Sequence, residues 1–201
     1  MKSGVVLVAL LLLTQSVSAQ KIGKLTDKRD GKVYKTVKIE ETTWMAENLN
    51  YKISPKIGDS FCYDNAPANC KKWGRLYTWK AAMNACPAKW RLPTNTEWGE
   101  LQHALGDSAA LKIKAVKGWP YDDDDDYTWK GTDNLHFGAL PGGRKDPDVG
   151  FQEGNDGANF WSASEQDYMR AYITSVGAVG FYLIPASDDK RSANSVRCVK
   201  D

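Results

Sequence analysis

Four cysteines, Cys62, Cys70, Cys86 and Cys198, all stand behind an N-terminal segment that reads as an export signal. An even number of cysteines in an exported chain points to disulfides rather than to metal or redox chemistry. The signal reading rests on Lys2 as the only early charge, an apolar run from Val5 to Leu13, and the small-residue ending Val17-Ser18-Ala19. Cleavage is predicted after Ala19, giving a signal peptide over 1–19 and one domain over 20–201. The apolar run is shorter than the roughly 20 residues a membrane-spanning helix needs, and no later segment matches its hydrophobicity, so no membrane span is expected after cleavage. No cysteine sits at the cleavage point to carry an acyl anchor, which leaves release or non-covalent retention at the cell surface. Three disulfide pairings are possible. Asp64, Asn65, Pro67 and Asn69 are turn formers that can double the chain back between Cys62 and Cys70, which favours that pair and leaves Cys86 for Cys198.

The charge is close to balanced: without Lys2, 26 Lys and Arg face 25 Asp and Glu. No clustered basic stripe is present, and nucleic acid is excluded as an expected partner. Eight tryptophans fall in the mature part, and most must be core, because a domain of about 180 residues cannot expose so much aromatic surface without aggregating.

Val33, Val37 and Ile39 alternate with Tyr34, Thr36 and Lys38, the period of a half-buried strand, and Thr43-Trp44-Met45 continues into a second. Leu76, Trp79 and Met83 share one face of a predicted helix running from about Arg75 to near Cys86, where Pro87 ends it. A second helix starts at Thr94, with Glu97 three residues on to complete a capping box. Trp98, Leu101 and Leu105 form its apolar face and Gly106 its stop. A short helical run is predicted after Ala109 through Leu111 and Ala115 towards Gly118. From Trp119 to Gly157 the chain is rich in Asp, Gly and Pro and reads as long loops, with a strand expected at Phe137 to Leu140. Strands are expected at 160–163, 170–175, 180–184 and 195–199. Helices early and strands late imply an α+β domain with two main helices and a late antiparallel sheet.

Several segments resemble one family. They are Asp30-Gly31-Lys32-Val33-Tyr34, Thr43-Trp44-Met45-Ala46-Glu47-Asn48-Leu49-Asn50-Tyr51, Gly74-Arg75-Leu76-Tyr77-Thr78-Trp79 and Cys86-Pro87-Ala88. Further on come Arg91-Leu92-Pro93-Thr94, Ala139-Leu140-Pro141-Gly142-Gly143, Phe160-Trp161-Ser162-Ala163-Ser164-Glu165 and Ser195-Val196-Arg197-Cys198-Val199. In this order they resemble the Fibrobacter succinogenes major paralogous domain, with its core over about 27–201. The resemblance implies an exported bacterial protein with a disulfide-bonded, C-type lectin-like single domain of the α+β class. The stretch from Arg91 to Trp98 is also similar to one in formylglycine-generating enzymes and sulfoxide synthases. The iron-holding histidine cluster of the synthases cannot be assembled from His103 and His136, and only Cys198 lies where a catalytic cysteine pair would be needed. No Gly-x-Ser-x-Gly turn exposes a nucleophile. The chain is therefore not expected to be an enzyme, and no catalytic residue is assigned.

Two features in the long loops are candidate sites. Asp122 to Asp126 are five carboxylates in a row, of which Asp122, Asp124 and Asp126 are the candidate calcium ligands. The run lacks the ligand spacing and central glycine of an EF-hand, so a solvated, self-repelling loop is the competing reading and no cofactor is required. Asp146, Asp148, Glu153, Asn155 and Asp156 form a second acidic stretch with the same ambiguity. Trp119, Tyr121, Tyr127 and Trp129 flank the acid run and are the candidate ligand-binding residues, since flat rings suit the apolar faces of sugars. The competing reading has them pinning the loop to the domain. Trp79, Trp98 and Trp161 are expected in the core. The sequence thus predicts a secreted or cell-surface binding module that recognises polysaccharide through loops 119–157. The alternative is a structural or protein-interaction module whose partner is a cell-envelope protein.

Overall fold

The computed structural model describes residues 21–120 and 129–201. The predicted signal peptide lies outside them. The first half of the chain forms β1 (Ile22–Thr26), β2 (Val33–Ile39), β3 (Thr42–Met45), β4 (Ser60–Phe61), α1 (Pro67–Trp73), β5 (Leu76–Thr78), α2 (Trp79–Ala82) and β6 (Trp90–Arg91). Then come α3 (Asn95–Leu105), α4 (Ala109–Ile113), β7 (Arg144–Asp146), β8 (Gly150–Gln152), β9 (Gly157–Glu165) and β10 (Arg170–Gly177). The chain closes with β11 (Ile184–Asp189), β12 (Ala193–Ser195) and β13 (Val199–Lys200). Helices are few and strands make two sheets. One sheet has the order β1-β2-β3-β13-β6, and the other runs β11-β10-β9-β12-β5-β4, with the β7–β8 hairpin joined to β12. Among the described residues no helix is long and apolar enough to cross a membrane.

The middle strands of the five-stranded sheet carry buried side chains on both faces, and their period-two alternation sorts these between two apolar clusters. Trp44, Val37, Ile39 and Val199 join Trp98, Leu101 and Leu105 of α3, together with Phe137 and Phe160. Met45, Tyr34 and Cys198 join Tyr77, Trp161, Ile173 and the alanines Ala81, Ala82 and Ala85. This corrects the expected alternation of β2: Val33 lies at the hairpin end and is exposed, whereas Tyr34 is buried on the opposite face. The predicted α3 is present with both halves of its capping box, Thr94 accepting from the Glu97 amide and Glu97 accepting from the Thr94 amide. Arg91 clamps the same Glu97 through two nitrogens at 2.8 and 2.7 Å. Trp98 and Trp161 are core as expected, and Trp79 is half-buried with its indole donating to the Ser162 carbonyl.

Elsewhere tertiary pairing overrides local pattern. Leu76 to Thr78 form a strand rather than the first turn of a helix, because Tyr77 pairs with Asn194 on one side and Ser60 on the other. Only Trp79–Ala82 is helical, and Met83, predicted on the apolar face, is exposed. The helix near this point is instead α1, begun by Pro67 at its first turn, inside the loop where only turns were expected. The run after Ala109 ends at Ile113 rather than near Gly118, because Ala115 donates to the Ala139 carbonyl and leaves the helix. Phe137 to Leu140 contribute a single bridge, Ala139 with Lys114, and not a strand. The expected strand at 180–184 lies later, at Ile184–Asp189, and the expected 195–199 strand is split into β12 and β13 by an inward turn of Arg197. The late sheet is not wholly antiparallel: β12 runs parallel to β9, with Ser195 opposite Phe160. Both disulfides form as predicted, Cys62–Cys70 and Cys86–Cys198.

Candidate functional site

A long irregular segment inside a compact domain must satisfy its backbone carbonyls, and here buried cations do so. Arg197 is fully buried; its Nε donates to Asn48 Oδ1 at 2.7 Å and its two terminal nitrogens to the carbonyls of Met45, Phe137 and Gly138. The guanidinium also lies 4.6 Å from the centre of the Phe137 ring. Burial pushes it down to about 9, a fall partly opposed by Glu47 and Asp133, so it stays charged at neutral pH. Lys114 is likewise buried; its ammonium donates to the Ala178 carbonyl at 2.7 Å and to that of Trp129, and burial pushes it down to about 8. Asp133 caps the turn between them by accepting from the Gly138 amide at 2.8 Å, while burial raises its carboxyl.

These anchors decide the fate of the predicted site residues. Tyr121, Asp122, Asp124, Asp126 and Tyr127 lie outside the described residues. Trp119 does not present a ring to ligands: it is buried in the core, its indole donates to the Ala139 carbonyl at 3.0 Å, and Lys114 lies over its face. It pins the loop. Trp129 is half-buried and stands against Phe181, ring centres 4.6 Å apart; Val179, Tyr182 and Ile184, close to Phe181 in the sequence, are exposed. The sequence reading missed Phe181 and Tyr182, because that stretch looked like a strand. In the second acidic stretch the carboxylates of Asp146 and Glu153 are already engaged. Arg144 pairs with Asp146, Glu153 and Asp188, Glu153 also accepts from Asn159, and Asp146 caps the β7–β8 turn through the amides of Asp148 and Val149. Among the described residues no three His, Cys, Asp or Glu gather into a group able to hold a metal ion.

A concave site is lined in part by Gly138 and Leu140. It has a volume of about 220 Å³ and is walled by Lys32, by Val33 and Tyr34 of β2, and by Lys71, Lys72 and Trp73 of α1. Its floor and ends are Asn48, Asn50, Gly74, Gly138 and Leu140, and Glu47 stands at one side. Gly74 makes the closure possible. Its φ is +80°, and a Cβ there would meet the Asn48 side chain at 2.7 Å. Asn48 in turn holds the Trp73 carbonyl at 2.8 Å. An adjoining hollow of about 360 Å³ shares Glu47, Gly138 and Leu140 and adds Lys35, Asp133 and His136.

A family model described as the Fibrobacter succinogenes major domain matches residues 37–200. The chain belongs to this family. No curated protein and no solved structure matches it. The Fibrobacter succinogenes major domain, as matched, opens inside β2 and closes in β13, so it includes α1, the Arg197 anchor and the whole floor of the concave site. Lys32 and Tyr34 fall just before it.

Proposed function

We propose that this member of the family is an exported, non-catalytic binding module with a C-type lectin-like arrangement, and that it holds polysaccharide across the surface formed by Trp129, Phe181 and Tyr182. The observation that carries the reading is the contact between the Trp129 and Phe181 rings, which come from two loops, with Tyr182, the residue after Phe181, more than half exposed; in the sequence the acid run from Asp122 to Asp126 ends three positions before Trp129. Ring faces of this kind cover the apolar faces of sugars, and a few neighbouring polar groups set orientation. The exposed Val179 and Ile184, each within three residues of Phe181 in the sequence, favour the second reading, an envelope protein as the partner.

The test is retention of the exported chain on neutral and charged polysaccharides, with calcium and with chelator, alongside the variants Trp129→Ala and Tyr182→Ala. The reading expects glycan retention that both variants lose while their melting curves stay close to that of the parent. Retention lost on chelation would add calcium to the site. Failure to bind any glycan, with capture of an envelope protein that Tyr182→Ala abolishes, would replace this reading with the second one.

A further inference from the structure

We infer that the concave site between β2 and α1 is a second binding site, one that takes a carboxylated sugar unit, a uronate, of an acidic polysaccharide. Its lining shares no residue with the Trp129 surface, so the inference stands without the preceding one. Three lysines, Lys32, Lys71 and Lys72, rim the opening against one carboxylate, Glu47. Lys32 is engaged, pairing with Asp30 at 3.2 Å and donating to the Asn50 carbonyl. Lys71 and Lys72 have no carboxylate partner among the described residues, and Lys72 is held over the Trp73 ring at 4.3 Å. Glu47 accepts the Lys35 amide at 2.6 Å and forms no ion pair with either lysine among the described residues. The site therefore offers an anion two ammonium groups that are in no ion pair among the described residues, with lysines outnumbering carboxylates in the lining three to one.

The remaining lining argues for a sugar ring behind that anion. Val33 is exposed and Leu140 half-buried, giving the lining two apolar side chains. The side-chain amide nitrogen of Asn50 already donates to the Cys70 carbonyl at 2.8 Å, which turns the amide oxygen of Asn50 into the acceptor left for a hydroxyl. A volume of about 220 Å³ is below the roughly 300–1,000 Å³ of pockets for drug-sized ligands and suits one ring of a chain. The geometry is also preformed. Asn48, Gly74 and the Cys62–Cys70 bridge fix α1 to the sheet, so little ordering accompanies binding.

The experiment is equilibrium binding of the exported chain to de-esterified polygalacturonate, to its methyl ester, to polyglutamate and to a neutral glucan, each at low and high salt. The site predicts binding of the de-esterified polymer that weakens with salt and falls about tenfold in Lys71→Gln/Lys72→Gln, the combined loss of two partly exposed charge contacts. Trp129→Ala should leave that binding intact, which separates this site from the aromatic surface. Equal binding of the methyl ester would overturn the carboxylate, equal binding of polyglutamate would overturn the sugar ring, and an unaffected double variant would overturn the location.

Discussion

Removing the two disulfides one at a time should expose a difference in their stabilisation that follows from loop length alone. The Cys86–Cys198 bridge spans 112 positions and the Cys62–Cys70 bridge spans 8. By the chain-entropy relation, closing the longer loop in the unfolded state contributes about 5 kcal/mol and the shorter about 2.6 kcal/mol. Cys198 is also fully buried in the cluster with Met45 and Tyr77, so its replacement by alanine adds a small packing loss in the same direction. With total stabilities of about 5–15 kcal/mol and about 2–4 °C per kcal/mol for a chain of this size, Cys86→Ala/Cys198→Ala should lower Tm by about 10–20 °C. Cys62→Ala/Cys70→Ala should lower it by about 5–10 °C. The assay is thermal and urea unfolding of both variants and the parent without reductant. A short-bridge variant that loses as much as the long-bridge variant, or more, would refute the entropic reasoning. It would place the weight on α1 and its packing instead.

Arg197→Met removes the donor from Asn48 Oδ1 and three carbonyls in the core and should cost about 3–5 kcal/mol, whereas Arg191→Met, which breaks an exposed pair with Asp189, should leave the urea midpoint nearly unchanged; urea denaturation compares them. Burial raises the Tyr34 phenol to about 12 and that of Tyr77 in the same direction. Between the ordinary tyrosine value near 10 and about 12 the folded chain therefore holds protons that the unfolded chain has lost. Stability should be intact below about pH 10 and fall as pH rises through that window, read from unfolding curves paired with tyrosinate absorbance. Trp119→Ala should cost about 3–5 kcal/mol as a core truncation, while Met83→Lys on the exposed end of α2 should be nearly neutral. A stable Trp119→Ala would contradict its placement in the core.

The legible parts of the fold were those specified by short-range chemistry. The capping box at Thr94 and Glu97 needs only four residues to declare itself, and α3 begins where it says. The disulfide pairing followed from turn formers between Cys62 and Cys70. The parts that misled are those where a distant partner decides. Nothing near Leu76 announces that Asn194 will pair with Tyr77, and the spacing of Leu76, Trp79 and Met83 fits a helix equally well. Arg197 reads as a polar residue in a strand, yet its guanidinium turns inward because the 137–138 carbonyls need a donor. The candidate sites divide in the same way. Aromatic residues on loops are ambiguous between platform and anchor, and Trp119 became an anchor once Lys114 and the Ala139 carbonyl were beside it. The lysine-rimmed hollow was invisible in sequence, since Lys32 and Lys71 come to line it only once Asn48 and Asn50 hold the Trp73 and Cys70 carbonyls of α1.

The segment from Ser195 to Val199 joins the two sheets, and this makes a sharp claim about where unfolding can begin. Ser195 pairs with Leu76 and Phe160 in one sheet, and Val199 pairs with Trp44 and Arg91 in the other. Between them the Val196 carbonyl accepts the Leu49 amide at 2.9 Å and the Cys198 carbonyl accepts the Met45 amide at 2.8 Å. Arg197 holds the 137–138 carbonyls from the same place, and Cys198 is covalently tied to Cys86. Releasing Met45 or Leu49 therefore requires withdrawing a segment that both sheets, a buried cation and a disulfide hold. No smaller opening frees either amide. Their hydrogen exchange should proceed only through global unfolding, with a free energy equal to that from denaturation, whereas the Leu183 amide, bonded to the Gln102 side chain in a loop, should exchange through local opening. Exchange of Met45 or Leu49 at the rate of Leu183 would show that the closing segment frays on its own, and the junction would then lie elsewhere in the fold.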